Sequence, residues 1–120
     1  MRFISLFTPK VTGAPPSPEL IATMGKLIEE GMKAGWLIAT EGVQWGTVGI
    51  RVGKADGKIT VVDGPFAEAK EVIGGYALLS VKSKEAVVEL ARRFLDVAGD
   101  GTCEIHQLFE EVGHGPPAAV

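Results

Sequence analysis

Two amphipathic stretches, each opened by a serine and closed by a glycine, constrain this chain more than any other feature. In the first, Ser17 precedes Pro18, an N-cap followed by proline at the first helical position. Leu20, Met24, Leu27, Ile28 and Met32 then recur on one side and Glu19, Lys26, Glu30 and Lys33 fall elsewhere, until Gly35 offers a left-handed stop. In the second, Ser83 caps a run to about Ala98 that carries Val87, Leu90, Ala91, Phe94 and Ala98 on one face, and Gly99 ends it. Glu89 and Arg93 are spaced for an i,i+4 pair on its exposed side.

The remaining ordered chain reads as strands. Residues 2–8 form a short apolar run ended by Pro9, and 36–40 form another. Residues 47–52 and 58–62 alternate around Lys54-Ala55-Asp56-Gly57, whose Asp-Gly pair is a hairpin signal. Residues 75–81 and 102–110 complete the set. The order β-α-β-(hairpin)-β-α-β predicts an α+β, ferredoxin-like antiparallel sheet with two helices on one face and an inserted β-hairpin. The other face must then be polar or covered by a second subunit.

At 120 residues the chain suits one domain, able to bury roughly two-thirds of its unfolded surface without metal or disulfide staples. A domain over 1–112 and a tail over 113–120 are expected, the tail opening on Gly113-His114-Gly115-Pro116-Pro117. A net charge of −3 with interspersed signs lacks the basic stripe of a nucleic-acid binder. The single cysteine excludes an internal disulfide and fits a reducing compartment. The first apolar run is too short for a signal peptide and no stretch is long enough to span a membrane, so a cytoplasmic protein is expected. The slightly positive mean hydropathy points to apolar surface beyond one core, hence to a homo-oligomer.

One segment is more specific. Val61-Val62-Asp63-Gly64-Pro65-Phe66-Ala67-Glu68-Ala69-Lys70-Glu71-Val72-Ile73-Gly74-Gly75-Tyr76 resembles the signature of the DGPF-domain, or YciI-related (YCII-like), family, and the element order around it fits over residues 1–112. The resemblance implies a dimeric α/β barrel, two ferredoxin-like sheets packed face to face, each with a cleft between sheet and helices. It implies no established reaction. Some relatives in the broader superfamily act on small aromatic compounds, and some family members lie beside alternative sigma-factor genes. The chain departs from the usual pattern at Ala69, at Tyr76-Ala77 and at His106. A His near the first helix, used with an Asp in smaller relatives, has no counterpart, because residues 9–25 contain neither His nor Asp.

Asp63 is the first candidate for chemistry. Gly64 opens backbone conformations closed to other residues and Pro65 stiffens the turn, so the carboxylate could be held as an acid/base or could orient a ligand. The competing reading is an Asx-turn or cap toward Phe66 or Ala67, with Phe66 as the plug that seats the turn. Glu68, Lys70 and Glu71 either line a cleft or form a solvated face. Gly74-Gly75 allows close strand approach.

His106 is the second candidate. On the last strand Cys103, Ile105, Gln107 and Phe109 point one way, toward the helices, and Glu104, His106 and Leu108 the other. His106 then faces the second layer, as acid, base or ligand-orienting group, or simply as an interface histidine. Cys103 and His106 fall on opposite faces, so a shared metal ion is not expected, and neither is a cofactor. Cys103 reads as a small buried apolar residue. Trp36, Trp45 and Tyr76 either wall an aromatic-binding pocket or belong to the core.

Two functions follow. One is a dimeric small-molecule-binding protein, potentially a cofactor-free enzyme acting on a small aromatic metabolite with Asp63 as acid/base. The other is a non-catalytic regulatory or interaction module of the kind linked to alternative sigma factors.

Overall fold

A computed structural model describes residues 1–10, 16–43, 49–64 and 73–110. Eight elements follow in chain order: β1 (Arg2–Pro9), α1 (Pro18–Ala34), β2 (Leu37–Gly42), β3 (Ile50–Ala55), β4 (Lys58–Asp63), β5 (Gly75–Ser80), α2 (Lys84–Ala98) and β6 (Gly101–Gln107). β2, β5, β1 and β6 lie side by side in that order, antiparallel throughout, which is the ferredoxin-like arrangement. β3 and β4 pair with each other as a separate two-stranded sheet.

The helix ends follow the local chemistry of the caps. Ser17 Oγ accepts from the Leu20 N–H at 3.1 Å, and Ser83 Oγ accepts from Ala86 at 3.1 Å. Gly35 and Gly99 close the helices by donating to the Gly31 and Leu95 carbonyls. The Asp56-Gly57 turn has both φ angles positive, 51° and 79°, the signature of a type I′ hairpin. That tight turn lets the ladder run to Ala55↔Lys58, so β3 takes in Lys54 and Ala55, while the expected start at Thr47 lies outside the described residues.

Both helices pack on one sheet face. Phe3, Leu37, Leu79 and Val87 form the buried core, with Ile28 of α1 and Ile105 of β6 packed against it. Phe7 meets Phe94 edge-on, ring centroids 4.9 Å apart. Arg93 does not pair with Glu89. Its guanidinium reaches across the helix seam to Glu30 of α1 at 2.7 Å and lies 5.8 Å from the centroid of the Trp36 ring. Glu89 instead meets Arg92 at 4.0 Å.

Two expected core positions are exposed. Met32 is exposed because Gly31, not Met32, carries the last turn of α1 against β2. Phe109 is 96% exposed, since β6 ends at Gln107 and the chain leaves the sheet. The expected tail over 113–120 lies outside the described residues.

α1 contains two glycines with opposite surroundings. A Cβ on Gly25 would meet nothing within 4 Å, whereas on Gly31 it would sit 2.7 Å from the Trp36 ring and 2.8 Å from Leu37 Cβ. Gly25→Ala is therefore expected to stabilise the protein by about 0.5–1 kcal/mol through helix propensity. Gly31→Ala is expected to destabilise it, because an overpacking cost of about 1–3 kcal/mol exceeds the same gain. Urea denaturation of the two variants, with unchanged m-values, measures the difference in sign.

Candidate functional site

Strand alternation assigns every sheet residue a side. Phe3, Ser5 and Phe7 of β1 face the helices, in register with Leu79, Ala77 and Gly75 of β5 and with Gln107, Ile105 and Cys103 of β6. In β2 a bulge between Leu37 and Ala39 inserts one residue, so Leu37 and Thr40 both face inward although they are three apart.

Between these strands and the helices lies a cavity of about 280 Å³. Ser5, Phe7, Leu37, Thr40, Ala77 and Cys103 line it from the sheet. Met24, Leu27 and Ile28 of α1 and Leu90, Ala91 and Phe94 of α2 line it from above. Trp36 adds a wall, and Gly42, Gly74 and Gly75 expose backbone to it. Gly75 is required there: a Cβ would stand 2.8 Å from the Glu41 carbonyl oxygen of the neighbouring strand.

Three side chains supply polar atoms. Thr40 donates its hydroxyl to the Tyr76 carbonyl at 2.8 Å. Ser5 is only 8% exposed and shares the inward face with Cys103, its diagonal neighbour across β1 and β6. Burial pushes the Cys103 thiol above its ordinary range, and the Ser5 contact offsets part of that rise. The thiol is thus a neutral, poorly nucleophilic group at neutral pH.

Of the sequence candidates, Trp36 and Tyr76 line the cavity. Tyr76 does so next to Thr40, and its register with Leu6 places its side chain on the far face. His106 lies on that far face as well, in register with Ile4, its Nε2 2.7 Å from Glu104 Oε2. Asp63 closes β4 opposite Ile50, is exposed, and precedes a Gly64 N–H that donates to Gly49 at 2.6 Å. Neither Asp63 nor His106 is among the described residues that line the cavity. Phe66, Glu68, Lys70 and Trp45 lie outside the described residues. No three His, Cys, Asp or Glu side chains converge as a metal site would need, among the described residues.

Ser5 and Thr40 are polar lining residues that sequence reasoning passed over. Ser5 carried a signal: it is the one polar residue between Phe3 and Phe7, on the same side of an otherwise apolar strand. Thr40 carried none, because its inward aim depends on the bulge.

An antiparallel four-stranded sheet with two helices on one face defines a ferredoxin-like α+β fold, here with a cavity between the layers. The family model for the YCII-related domain matches residues 1–111, and the chain belongs to the YCII-related family. No curated protein matches it. No helix is long and apolar enough to cross a membrane, among the described residues.

The half-buried thiol makes a prediction. Cys103 should react with iodoacetamide more slowly in the native protein than after denaturation, as read by intact mass. Its pKa is raised on folding, so the neutral thiol is the form the fold favours. The resulting stability is present below the unfolded thiol pKa and is lost as pH rises through the folded one. Denaturant midpoints should therefore fall across the alkaline thiol range in wild type more than in Cys103→Ala.

Proposed function

We propose that this chain forms a homodimer and binds a small, mainly apolar molecule in the cavity between sheet and helices, with Asp63 as acid/base where that molecule is turned over. The cavity carries this reading. It is enclosed chiefly by apolar and aromatic side chains with a few polar atoms among them, the usual composition of a small-molecule site. The chain returns from Asp63 through the 65–72 segment to Gly74 and Gly75, which belong to the cavity wall, so the carboxylate is linked to the site through a short connection.

The dimer is supported by what one chain leaves uncovered. On the outer sheet face Ile4, Leu6 and Leu78 are only half-buried, and none of the described elements packs over them. On the hairpin, Val52, Ile59 and Val61 are each about 60% exposed, and the ladder register puts them on one side with Ile50. Apolar surface of this extent marks an interface. Two sheets packed face to face, as in a dimeric α/β barrel, would cover the first of these surfaces.

The alternative is a non-catalytic regulatory or interaction module. The observation that favours it is the separation of Asp63 and His106 from the cavity lining. Native mass spectrometry after exposure to a metabolite extract tests both readings. Wild type is expected to appear as a ligand-bearing dimer, and Ala91→Leu, which fills the cavity, as a dimer without ligand. Leu78→Lys is expected to shift the mass to monomer. For an enzyme, Asp63→Asn traps an unconverted ligand that wild type releases as product. An identical bound species in both proteins favours the module, and a ligand-free wild type defeats the binding reading.

A further inference from the structure

We infer that the cavity selects an uncharged aromatic compound of about two fused rings bearing one hydroxyl or carbonyl group, which Ser5 and Cys103 meet, and that it rejects anions. This rests on the binding reading above and specifies its ligand.

Size sets the first limit. A cavity of roughly 150 Å³ holds one benzene ring. The volume of about 280 Å³ here suits two rings and falls near the small end of ligand sites. The walls agree, since Trp36, Phe7 and Phe94 present aromatic surface to the interior.

Charge sets the second. No Lys, Arg or His lines the cavity among the described residues. Among the described residues Glu41 is the only charged one at its wall, and the register that turns Thr40 and Ala77 inward turns Glu41 and Tyr76 to the opposite face. A carboxylate or phosphate brought inside would lose its water and meet no cation among the described residues.

Hydrogen bonding sets the third. The Thr40 proton is already given to the Tyr76 carbonyl. The Ser5 hydroxyl has one donor and two acceptor sites, and its contact with Cys103 uses only part of that capacity. A thiol is a weak partner, so a ligand hydroxyl or carbonyl would be a better one for a side chain that is 8% exposed.

Isothermal titration calorimetry of the intact protein at neutral pH, with naphthalene, a naphthol and a naphthoate as probes, tests this. The naphthol is expected to bind about five- to tenfold more tightly than naphthalene, the worth of one ordinary hydrogen bond. The naphthoate is expected to bind at least about a hundredfold more weakly than the naphthol. Ser5→Ala should bring naphthol and naphthalene to equal affinity, and Cys103→Ala supplies the same readout if Ser5→Ala does not fold. Ala91→Leu, or Ala77→Leu from the sheet side, should weaken both neutral probes. Naphthoate binding as tight as naphthol overturns the charge selection, and equal naphthol and naphthalene affinities in wild type overturn the polar contact. In both cases cavity binding itself survives. Binding that is indifferent to both cavity-filling variants, or no binding by any probe, defeats the binding reading and this inference with it.

Discussion

β1 is the strand on which the rest of the molecule depends. It is one of the two central strands of the main sheet, paired with β5 along Arg2 to Phe7 and with β6, the last strand of the fold, along Phe3 to Pro9. Its start is fastened at Val81, which accepts from the terminal amino group and donates to the Met1 carbonyl, both at 2.9 Å. Because pairing residues share a face, the alternation of β1 is imposed on its neighbours. Phe3, Ser5 and Phe7 commit β5 and β6 to presenting Leu79, Ala77, Ile105 and Cys103 to the helices. Ile4 and Leu6 commit Leu78 and His106 to the other side. A slip of one residue would exchange the cavity lining for the outer face.

The inner face is not packed to completion. Among the described residues four apolar side chains are buried, Phe3, Leu37, Leu79 and Val87, and they form one cluster. Beyond them Phe7, Met24, Leu90 and Phe94 surround open space. Side chains that border a void forgo dispersion contacts, and natural cores close most such gaps. The space of about 280 Å³ opens partly to solvent and is bordered chiefly by ordinary apolar residues. Stability given up in this way makes sense where a ligand restores the missing contacts. The same ledger explains the placement of Ser5, since a hydroxyl on a buried strand is tolerable only with a partner.

What could be read from the sequence follows the range of the interaction involved. Caps and turns are local, so Ser17, Ser83, Gly35, Gly99 and Asp56-Gly57 were legible one by one and together set the element order. The signature around Asp63 identified the family. Features that depend on distant partners were hidden. The bulge in β2 aims Thr40 inward, yet Leu37-Ile38-Ala39-Thr40 reads as simple alternation. Arg93 looked like a partner for Glu89 four residues away, while Glu30 and Trp36 of the first half of the chain hold it across the helix seam. The cavity itself is an absence of packing between elements, to which no single residue testifies. The reading that weighted Asp63 and His106 was drawn to residues with obvious chemistry, whereas the cavity is built from residues without it.

Asp63 is nevertheless tied to the rest by the face it shares. In the hairpin register it stands opposite Ile50, on the side that carries Val52, Val61 and Ile59. Those side chains are exposed in one chain. A surface that covers them must also cover or flank the carboxylate, because cross-strand neighbours lie about 4.5–5.5 Å apart. A carboxylate solvated in the single chain would then be set among apolar groups and would need a hydrogen-bond or charge partner from whatever covers it. The chemistry open to Asp63 is therefore decided by the assembly and not by the hairpin alone. Ser5 and Cys103 differ in this respect: the fold of one chain already buries Ser5 and half-buries Cys103 on the inward face, so their surroundings there are set by the single chain.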